Sequence, residues 1–337
     1  MLRNLFIYSV FMALAACGGG STAVKNNSSY VSANSSSAAS SSLIASSVVA
    51  SSASSMALSS ASSLSDVAAE NMYGLYVSLR MGRSDQLLGN AQREEQFINF
   101  VRDGGFTYLL FYELEGLNPT SVKAQQFASL ISRARSIGGV KQIGAALGDA
   151  SEADTIVAYN NGRPDSERIN VLNVEYEFWN KTDRKTEFAK TISMLEQFKR
   201  VAMENRLTTE IYVGWIDAME AVTLANVTDR ILVHYYMQTD ATIINFGLER
   251  LEWLSAASRK VKIAPIFSNE GPKNTNDLPF MGCWLEKNPH QQAYRSWKAQ
   301  YDALDKPWKA NIEVVGSVWF IYDKFLDVGT STSGCTK

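Results

Sequence analysis

The sequence predicts a (β/α)8 barrel, the TIM-barrel fold, over residues 67–337. Two observations predict it. Eight short apolar runs, rich in Val, Ile, Tyr or Phe, alternate with longer amphipathic segments, and this alternation is typical of parallel α/β folds. No loop with the spacing G-x-G-x-x-G follows an early run, which argues against an open dinucleotide-binding sheet.

The predicted strands are short and end at polar residues. They are Met72–Leu79, Phe106–Glu113, Gln142–Leu147, Ile169–Glu177, Glu210–Trp215, Arg230–Met237, Val261–Phe267 and Val314–Phe320. The amphipathic segments between them predict helices over Ala91–Asp103, Pro119–Gly138, Thr182–Asn205, Ala218–Asn226, Ile244–Ser258 and Pro289–Leu304. A weaker helical pattern covers Ser151–Arg163.

Residues 1–17 have the layout of a secretory signal peptide. Arg3 gives a positive start, an apolar run too short to span a bilayer follows, and small residues lead to Cys17. The ending LAAC is similar to a bacterial lipobox, which implies that Cys17 is lipidated; ordinary cleavage nearby is the alternative. Gly18 follows the cysteine, and by analogy with bacterial sorting rules this favours anchoring in the outer membrane.

Residues 18–66 are predicted to be a flexible linker between this leader and the barrel. Residues 21–66 contain 21 Ser in 46 positions, no Pro, and only Lys25 and Asp66 as charged residues. Because such a segment has too little apolar surface to offset its ordering entropy, we expect a disordered coil. Polyserine linkers of this kind resemble those of secreted polysaccharide-degrading enzymes of environmental bacteria.

The overall composition argues against several classes of protein. A formal net charge of −2 lacks the basic footprint that a nucleic-acid binder needs. Three Cys and two His are too few for a zinc-finger array or an iron–sulfur protein, and no Ser-His-Asp arrangement is readable. We therefore expect no metal, no cofactor and no nucleic-acid partner, contact with a membrane only through the lipid anchor, and a monomeric chain.

The fourth predicted strand carries the strongest chemical signal. Side chains alternate along a strand, so Asn173, Glu175 and Glu177 share one face and are predicted to look into the barrel. The two carboxyl groups lie about 7 Å apart at their Cα atoms. Burying both as anions is costly, so one would hold a proton, which is what the general acid of a glycosidase requires.

At this strand the chain resembles the family 18 glycoside hydrolases, of the chitinase and endo-N-acetylglucosaminidase type. That family carries D-x-x-D-x-D-x-E on strand four, and the same spacing here gives Asn170, Asn173, Glu175 and Glu177. Shorter similarities are scattered between residues 72 and 323: Ile143–Gly148 to an S-x-G-G strand end, His234–Met237 to M-x-Y-D, and Trp319 to the family's strand-eight Trp.

The resemblance implies a role for each matching side chain. Glu177 would be the acid/base, Glu175 would orient the sugar's acetamide or stabilise the intermediate, Tyr236 would hold the acetamide carbonyl, and Trp319 would form the floor of the cleft. The sequence also departs from the family. Asn173 replaces an acid that would help to cycle the proton, and Met237 replaces another acid.

Further residues at the predicted strand ends are candidates for substrate binding. Together they predict an acidic mouth with aromatic surfaces, which suits the C–H faces of sugar rings. The polar candidates are Asn173, Glu113, Asp217 and Gln238, and the aromatic candidates are Trp179, Trp215, Trp284 and Trp319. We interpret His234 as a hydrogen-bonded barrel residue rather than a base.

Glu270, just after the seventh strand, offers a rival mechanism. Other barrel glycosidases place a nucleophile there and an acid after strand four, so Glu177 and Glu270 form an alternative pair. In that clan Asn directly precedes the acid, whereas Tyr176 precedes Glu177 here.

Cys283 and Cys335 remain once Cys17 is assigned to the anchor. In an exported chain two such cysteines commonly form a disulfide, and two free thiols are the alternative. The sequence therefore predicts an exported, lipid-anchored barrel, at the outer membrane or cell surface, that hydrolyses a polysaccharide or a glycan containing N-acetylhexosamine. A surface glycan-binding protein without turnover is the second hypothesis.

Overall fold

The eighth strand of the barrel pairs with the first and the seventh, and this closes the sheet. The computed structural model describes residues 72–236, 243–269 and 284–328. Its strands are β1 (Met72–Ser78), β2 (Tyr108–Tyr112), β3 (Gln142–Leu147), β4 (Val171–Val174), β5 (Thr208–Val213), β6 (Arg230–His234), β7 (Val261–Ser268), β8 (Ile312–Val314) and β9 (Gly316–Phe320). All neighbouring pairs are parallel, so the predicted (β/α)8 barrel is confirmed.

The last two strands are one barrel strand with a break. β8 pairs with the start of β7 and β9 with its end, and Val315 lies between them. Gly316 has φ +141°, and a Cβ there would lie 1.7 Å from the carbonyl oxygen of Met72. The break is therefore a bulge that requires glycine, because no side chain fits between β9 and β1.

Helices cover the outside of the barrel between successive strands. They are α1 (Ala91–Gly104), α2 (Val122–Ser136), α3 (Glu152–Asn160), α4 (Arg184–Asn205), α5 (Ala218–Val227), α6 (Ile243–Phe246), α7 (Leu248–Ser255), α8 (Gln291–Ala303) and α9 (Tyr322–Phe325). Asn90 caps α1 by accepting a hydrogen bond from the backbone N–H of Arg93. The helix predicted over Ile244–Ser258 is divided at Gly247, where a Cβ would lie 2.5 Å from the Tyr235 ring.

Polar side chains near the amino-terminal ends of the strands fill part of the barrel interior. Oε1 of Glu210 accepts hydrogen bonds from the Tyr108 hydroxyl at 2.7 Å and from Asn173 Nδ2 at 2.9 Å. Arg230 donates from Nε to the other oxygen of Glu210 and from Nη1 to Gln142 Oε1 at 3.0 Å. Asn173 and Glu210 are fully buried, and the hydrogen bond between them places the Asn173 amide in the barrel interior.

Within the described ranges, no helix is both long and apolar enough to cross a bilayer.

Candidate active site

The carboxyl end of β4 carries the two acidic residues that the sequence places on one face. Glu175 continues the strand beyond Val174, because its N–H donates to Leu147 O at 3.0 Å. The Glu175 side chain is half-buried and its Oε2 atom is buried. Burial raises the pKa of Tyr76 well above its usual value, and the Glu175 charge raises it further. Glu175 is two residues beyond Asn173, whose amide binds Glu210 inside the barrel, and it therefore faces the barrel axis.

Glu177 lies two residues beyond Glu175, farther from the end of β4, and is more exposed to solvent. The predicted strand extends to Glu177, whereas β4 ends at Val174, since β3 offers no pairing partner beyond Leu147. Glu177 directly precedes the 3-10 helix Phe178–Asn180, and Asn180 Nδ2 donates to its Oε2 at 2.7 Å. The turn leaves Glu177 exposed at the rim of the barrel.

Both carboxyl groups act on the hydroxyl of Tyr212. Tyr212 lies on β5, and its pKa is raised first by burial, then by the charges of Glu177 and Glu175. The hydroxyl lies 2.5 Å from Nδ1 of His234. Tyr212 thus lies within electrostatic range of both acids and shares a hydrogen bond with His234, on the aromatic side of the mouth.

Stacked rings form that aromatic side. The Tyr236 ring stacks on His234 at 4.1 Å and lies 6.2 Å from the rings of both Tyr212 and Phe320. Burial and, to a smaller extent, the charge of Arg250 lower the pKa of His234 to about 3, so the imidazole is neutral near neutral pH. The interpretation of His234 as a hydrogen-bonded barrel residue agrees with this geometry.

Trp319 faces away from the mouth, although the family resemblance implies that it forms the floor of the cleft. Its exposed fraction is 0%, and its ring packs between Phe267 at 5.5 Å and Phe325 at 5.4 Å. The next residue, Phe320, is half-buried and contacts Tyr76 at 5.1 Å. Because side chains alternate along β9, Phe320 supplies the inward aromatic surface instead of Trp319.

Trp215 is the most exposed aromatic residue that the structure places at the mouth. Its exposed fraction is 52%, and its ring lies 5.8 Å from His234 and 5.5 Å from Phe246. The buried Arg250 guanidinium lies 5.3 Å from the same ring and donates to the carbonyls of Gly214 at 2.7 Å and His234 at 2.8 Å. Trp215 is thus held in place while one side of its ring remains open.

Two other candidates are engaged within the protein. Asp217 caps α5, accepting from the N–H of Glu220 at 2.9 Å. Glu113 Oε2 accepts from the Ser78 hydroxyl at 2.7 Å and the Arg80 N–H at 2.6 Å, and Glu113 Oε1 forms an ion pair with Arg83 at 3.3 Å. Their hydrogen bonds give Asp217 and Glu113 structural roles at this rim.

Of the remaining predicted aromatic surfaces, Trp179 is buried against Tyr212 at 5.6 Å and Trp284 is half-buried.

Several predicted residues lie outside the described residues. These are Cys17, Gln238, Glu270, Cys283 and Cys335. The predicted linker and the pairing of Glu177 with Glu270 are therefore outside them as well.

Both Asn residues of the strand-four pattern have partners inside the protein. Asn170 Oδ1 accepts from Arg135 Nη2 at 2.5 Å and from the Ile143 N–H at 3.2 Å. Asn173 binds Glu210 through its amide NH2. An acid at position 173 would bring two carboxyl groups together, so the departure from the family pattern has a local physical reason.

Sequence reasoning missed Tyr212 and Arg250. Tyr212 is two residues from Glu210 and therefore on the same face of β5, a signal that was present in the sequence. Arg250 lies within α7, and nothing in the helical pattern indicates that its guanidinium reaches β5 and β6.

Metal-binding chemistry has no candidate among the described residues, because they include no group of three or more His, Cys, Asp or Glu that could hold an ion. The mouth offers carboxyl, hydroxyl and imidazole groups and aromatic surfaces. This set can transfer protons and bind rings, and it needs no metal to do either.

No family model and no curated protein matches the chain. Solved structures match it, and several are glycoside hydrolases. The spore cortex-lytic enzyme SleL of Bacillus megaterium is 13% identical, with a TM-score of 0.43 over 78% of this chain and 72% of SleL. The GH26 endo-beta-1,4-mannanase of Bacillus sp. JAMB-750 is 12% identical, with a TM-score of 0.45 over 75% of this chain and 78% of the mannanase. The YdjI aldolase of Escherichia coli is 10% identical, with a TM-score of 0.40 over 68% of this chain and 87% of the aldolase. Likeness at this level concerns the fold alone.

Proposed function

We propose that this protein is a glycoside hydrolase whose acid/base carboxyl group is on strand four. One observation carries the proposal: Glu175 and Glu177 lie at the carboxyl end of β4, beside a mouth lined by aromatic rings. Paired carboxyl groups in different surroundings are the usual equipment for cleaving a glycosidic bond.

The different surroundings of Glu175 and Glu177 support a different catalytic role for each. Glu177 is exposed at the rim, so it can reach the glycosidic oxygen and is the proposed acid/base. Glu175 is half-buried nearer the axis, where its charge would stabilise the positive charge that develops at the anomeric carbon or orient an acetamide group. Tyr236 would hold the acetamide carbonyl, as the family resemblance implies.

The aromatic surfaces support a sugar as the substrate. Trp215 presents an open ring face, and His234, Tyr236 and Phe320 continue the row of rings from it. Apolar ring faces alternating with hydrogen-bonding groups bind pyranose rings well. The proposed substrate is a polysaccharide or another glycan with N-acetylhexosamine units.

Replacement of each acid by its amide tests the proposal. Glu177→Gln and Glu175→Gln should each reduce hydrolysis of a responsive glycan by at least about 100-fold while glycan binding persists. Glu204→Gln, on the exposed side of α4, is the matched control and should leave hydrolysis unchanged. Full activity in Glu177→Gln would refute the assignment of the acid/base.

The second candidate is a surface glycan-binding protein without turnover. Asn173 favours it, because the amide is fully buried and bonded to Glu210 and so supplies no second acid for proton cycling. Binding without hydrolysis by the parent protein across a broad glycan panel would support this candidate. The rival pair is tested by Glu270→Gln, which should abolish turnover only if Glu270 is the partner of Glu177.

We also propose that the protein is lipid-anchored through Cys17 and that Cys283 forms a disulfide with Cys335. The leader, the polyserine segment and the cysteine count support these assignments. Cys17→Ser should release the protein from membranes into the soluble fraction. Alkylation of the denatured mature chain should add mass at Cys283 and Cys335 only after reduction.

A further inference from the structure

Trp215 is an exposed residue between two buried ones, just beyond the carboxyl end of β5. Its exposed fraction is 52%, whereas Gly214 and Ile216 are buried. A single exposed aromatic side chain is ordinary at a protein surface. What distinguishes Trp215 is the set of hydrogen bonds and ring contacts that fix its backbone and its indole.

Two guanidinium groups bind the backbone on either side of the Trp215 side chain. Arg250 Nη1 donates to the Gly214 carbonyl at 2.7 Å, and Arg184 Nη2 donates to the carbonyl of Trp215 itself at 2.9 Å. These carbonyls belong to the peptide groups before and after the Cα atom that carries the ring. Because those two planar groups define φ and ψ at Trp215, its backbone is tied to α7 on one side and to α4 on the other.

Arg184 is itself held by a carboxylate. Its guanidinium forms an ion pair with both oxygens of Glu220 on α5, with Nε lying 2.8 Å from Oε1. Glu220 also accepts from the N–H of Asp217 at 2.9 Å, in the capping box that begins α5. Arg184 therefore cannot turn away from Trp215 without losing charge-assisted hydrogen bonds to Glu220 as well.

Arg250 holds both the backbone and the ring. It is buried, and its Nη2 donates to the carbonyls of His234 at 2.8 Å and Phe246 at 3.3 Å. The same guanidinium lies over the Trp215 ring at 5.3 Å from the centroid. The Phe246 ring meets the indole edge to face at 5.5 Å, and the His234 ring lies 5.8 Å from it. The indole is thus supported on its inner side by three groups that are fixed to one another.

We propose that Arg184 and Arg250 are positioning residues that hold Trp215 as a preformed surface for one sugar ring of a bound glycan chain. Fixing the indole before binding removes ordering entropy that a mobile side chain would lose on contact. The open side of the ring then packs against the C–H face of a sugar at the β5 side of the mouth. The sugar ligand rests on the proposed function, whereas the fixing of Trp215 does not.

A double-mutant cycle tests whether Arg184 acts through Trp215. The probe is the linear hexamer of N-acetylglucosamine, and its Kd is measured by calorimetry on the mature chain carrying Glu177→Gln, which should not cleave it. Trp215→Ala should weaken binding about 3- to 10-fold, and Arg184→Met about 2- to 5-fold. The double variant should bind no more weakly than Trp215→Ala alone, because Arg184 has nothing to position once the indole is removed.

Arg163→Met is the matched control. Arg163 also binds a carbonyl, that of Tyr159 at 3.0 Å, and a carboxylate, that of Glu167 at 3.0 Å, and it lies over the Tyr159 ring at 4.3 Å. It belongs to the loop between α3 and β4, at the opposite end of the barrel from the mouth. Its replacement should therefore leave the Kd of the hexamer unchanged.

A second measurement needs no glycan. In protein labelled with 5-fluorotryptophan, the 19F signals of Trp215 and of the fully buried Trp297 are assigned by their loss in the two Trp→Phe variants. In the parent, both signals should have the same transverse relaxation rate in spite of their different exposure. In Arg184→Met the Trp215 rate should fall by about 30%, the difference between a rigid and a flexible group, and the Trp297 rate should not change.

The outcomes separate this inference from the proposed function. Additive losses in the cycle, or an unchanged Trp215 relaxation rate in Arg184→Met, would overturn the inference. A parent that does not bind the hexamer would overturn the sugar surface. A protein that shows the predicted coupling but hydrolyses no glycan would refute the hydrolase and retain the inference, and a hydrolase with additive losses would do the opposite. Arg250→Met should show the same coupling to Trp215; if that variant fails to fold, the Arg184 cycle decides.

Discussion

Asn173 Nδ2 donates a hydrogen bond of 2.9 Å to Glu210 Oε1 inside the barrel, two residues before Glu175. Glu210 is also bonded to Tyr108 and Arg230, so each of its carboxylate oxygens has a donor. This relationship explains why an amide occupies a position where the family resemblance would lead one to expect an acid. The amide satisfies the buried anion, whereas a second carboxylate would repel it.

Asn173→Asp should therefore destabilise the fold in a pH-dependent way. Burial and the Glu210 charge would raise the folded pKa of the new acid above its unfolded value, so its cost is absent at low pH and grows as pH rises. We expect a loss of about 2–4 kcal/mol near pH 7 and a much smaller loss near pH 4. Urea unfolding at both pH values measures it. Asn173→Ala is the control, and its loss should depend on pH much less than that of Asn173→Asp.

Replacing one partner of the buried Glu210–Arg230 ion pair should destabilise the fold more than replacing both partners. Glu210→Gln leaves a buried guanidinium without its counterion and should cost about 3–5 kcal/mol, whereas Glu210→Met with Arg230→Met should recover much of that loss. Asp302→Asn, which breaks an exposed pair with Lys298 on α8, should cost less than about 0.5 kcal/mol. Equal losses in Glu210→Gln and Asp302→Asn would contradict the burial argument.

Both histidines should make the protein less stable as the pH falls. Burial lowers the pKa of His234 to about 3 and that of His290 to about 4, from ordinary values of 6.5. The unfolded chain therefore gains protons below about pH 6.5 that the folded state does not bind, and each histidine contributes up to about 1.4 kcal/mol per pH unit. The free energy of unfolding should fall less steeply with acidification in His290→Phe. Phe100→Leu, a nearby control, should keep the parental slope.

Trp215 and Trp319 should respond in opposite ways to substitution. Trp215→Ala removes an exposed surface and should raise KM for a polymeric glycan about 3- to 10-fold with little change in stability. Trp319→Phe shrinks a fully buried side chain and should lower the free energy of unfolding by about 1–2 kcal/mol with KM unchanged. A change of KM in Trp319→Phe would contradict its outward placement.

The rate of hydrolysis should be bell-shaped in pH if Glu175 and Glu177 act together. Activity would need one proton on the pair, and the charge of each acid favours the proton on the other. Glu175→Gln removes that charge, so the upper limb of the profile should move to lower pH in the residual activity. An upper limb that stays in place, with activity intact, would shift attention to Glu270.

The alternation of apolar runs with amphipathic segments predicted the barrel, and the lack of a G-x-G-x-x-G loop argued against an open sheet. Period two along strand four also placed Asn173 and Glu175 on one inward face, because that face is set by the pleat of the strand alone. Local sequence was enough here, since both the positions of the strands along the chain and the faces of each strand follow from its periodicity.

Only the closed barrel decided which strand faces meet and what each polar group touches. Trp319 and Phe320 are adjacent aromatic residues, so they point to opposite faces of the strand, and the sequence does not show which of them faces the mouth. In the structure Trp319 packs outward against Phe267 and Phe325. Tyr212 and His234 are 22 residues apart and meet because β5 and β6 pair in a particular register. Such contacts depend on strand register and on the helices that cover the barrel, and local periodicity carries neither kind of information.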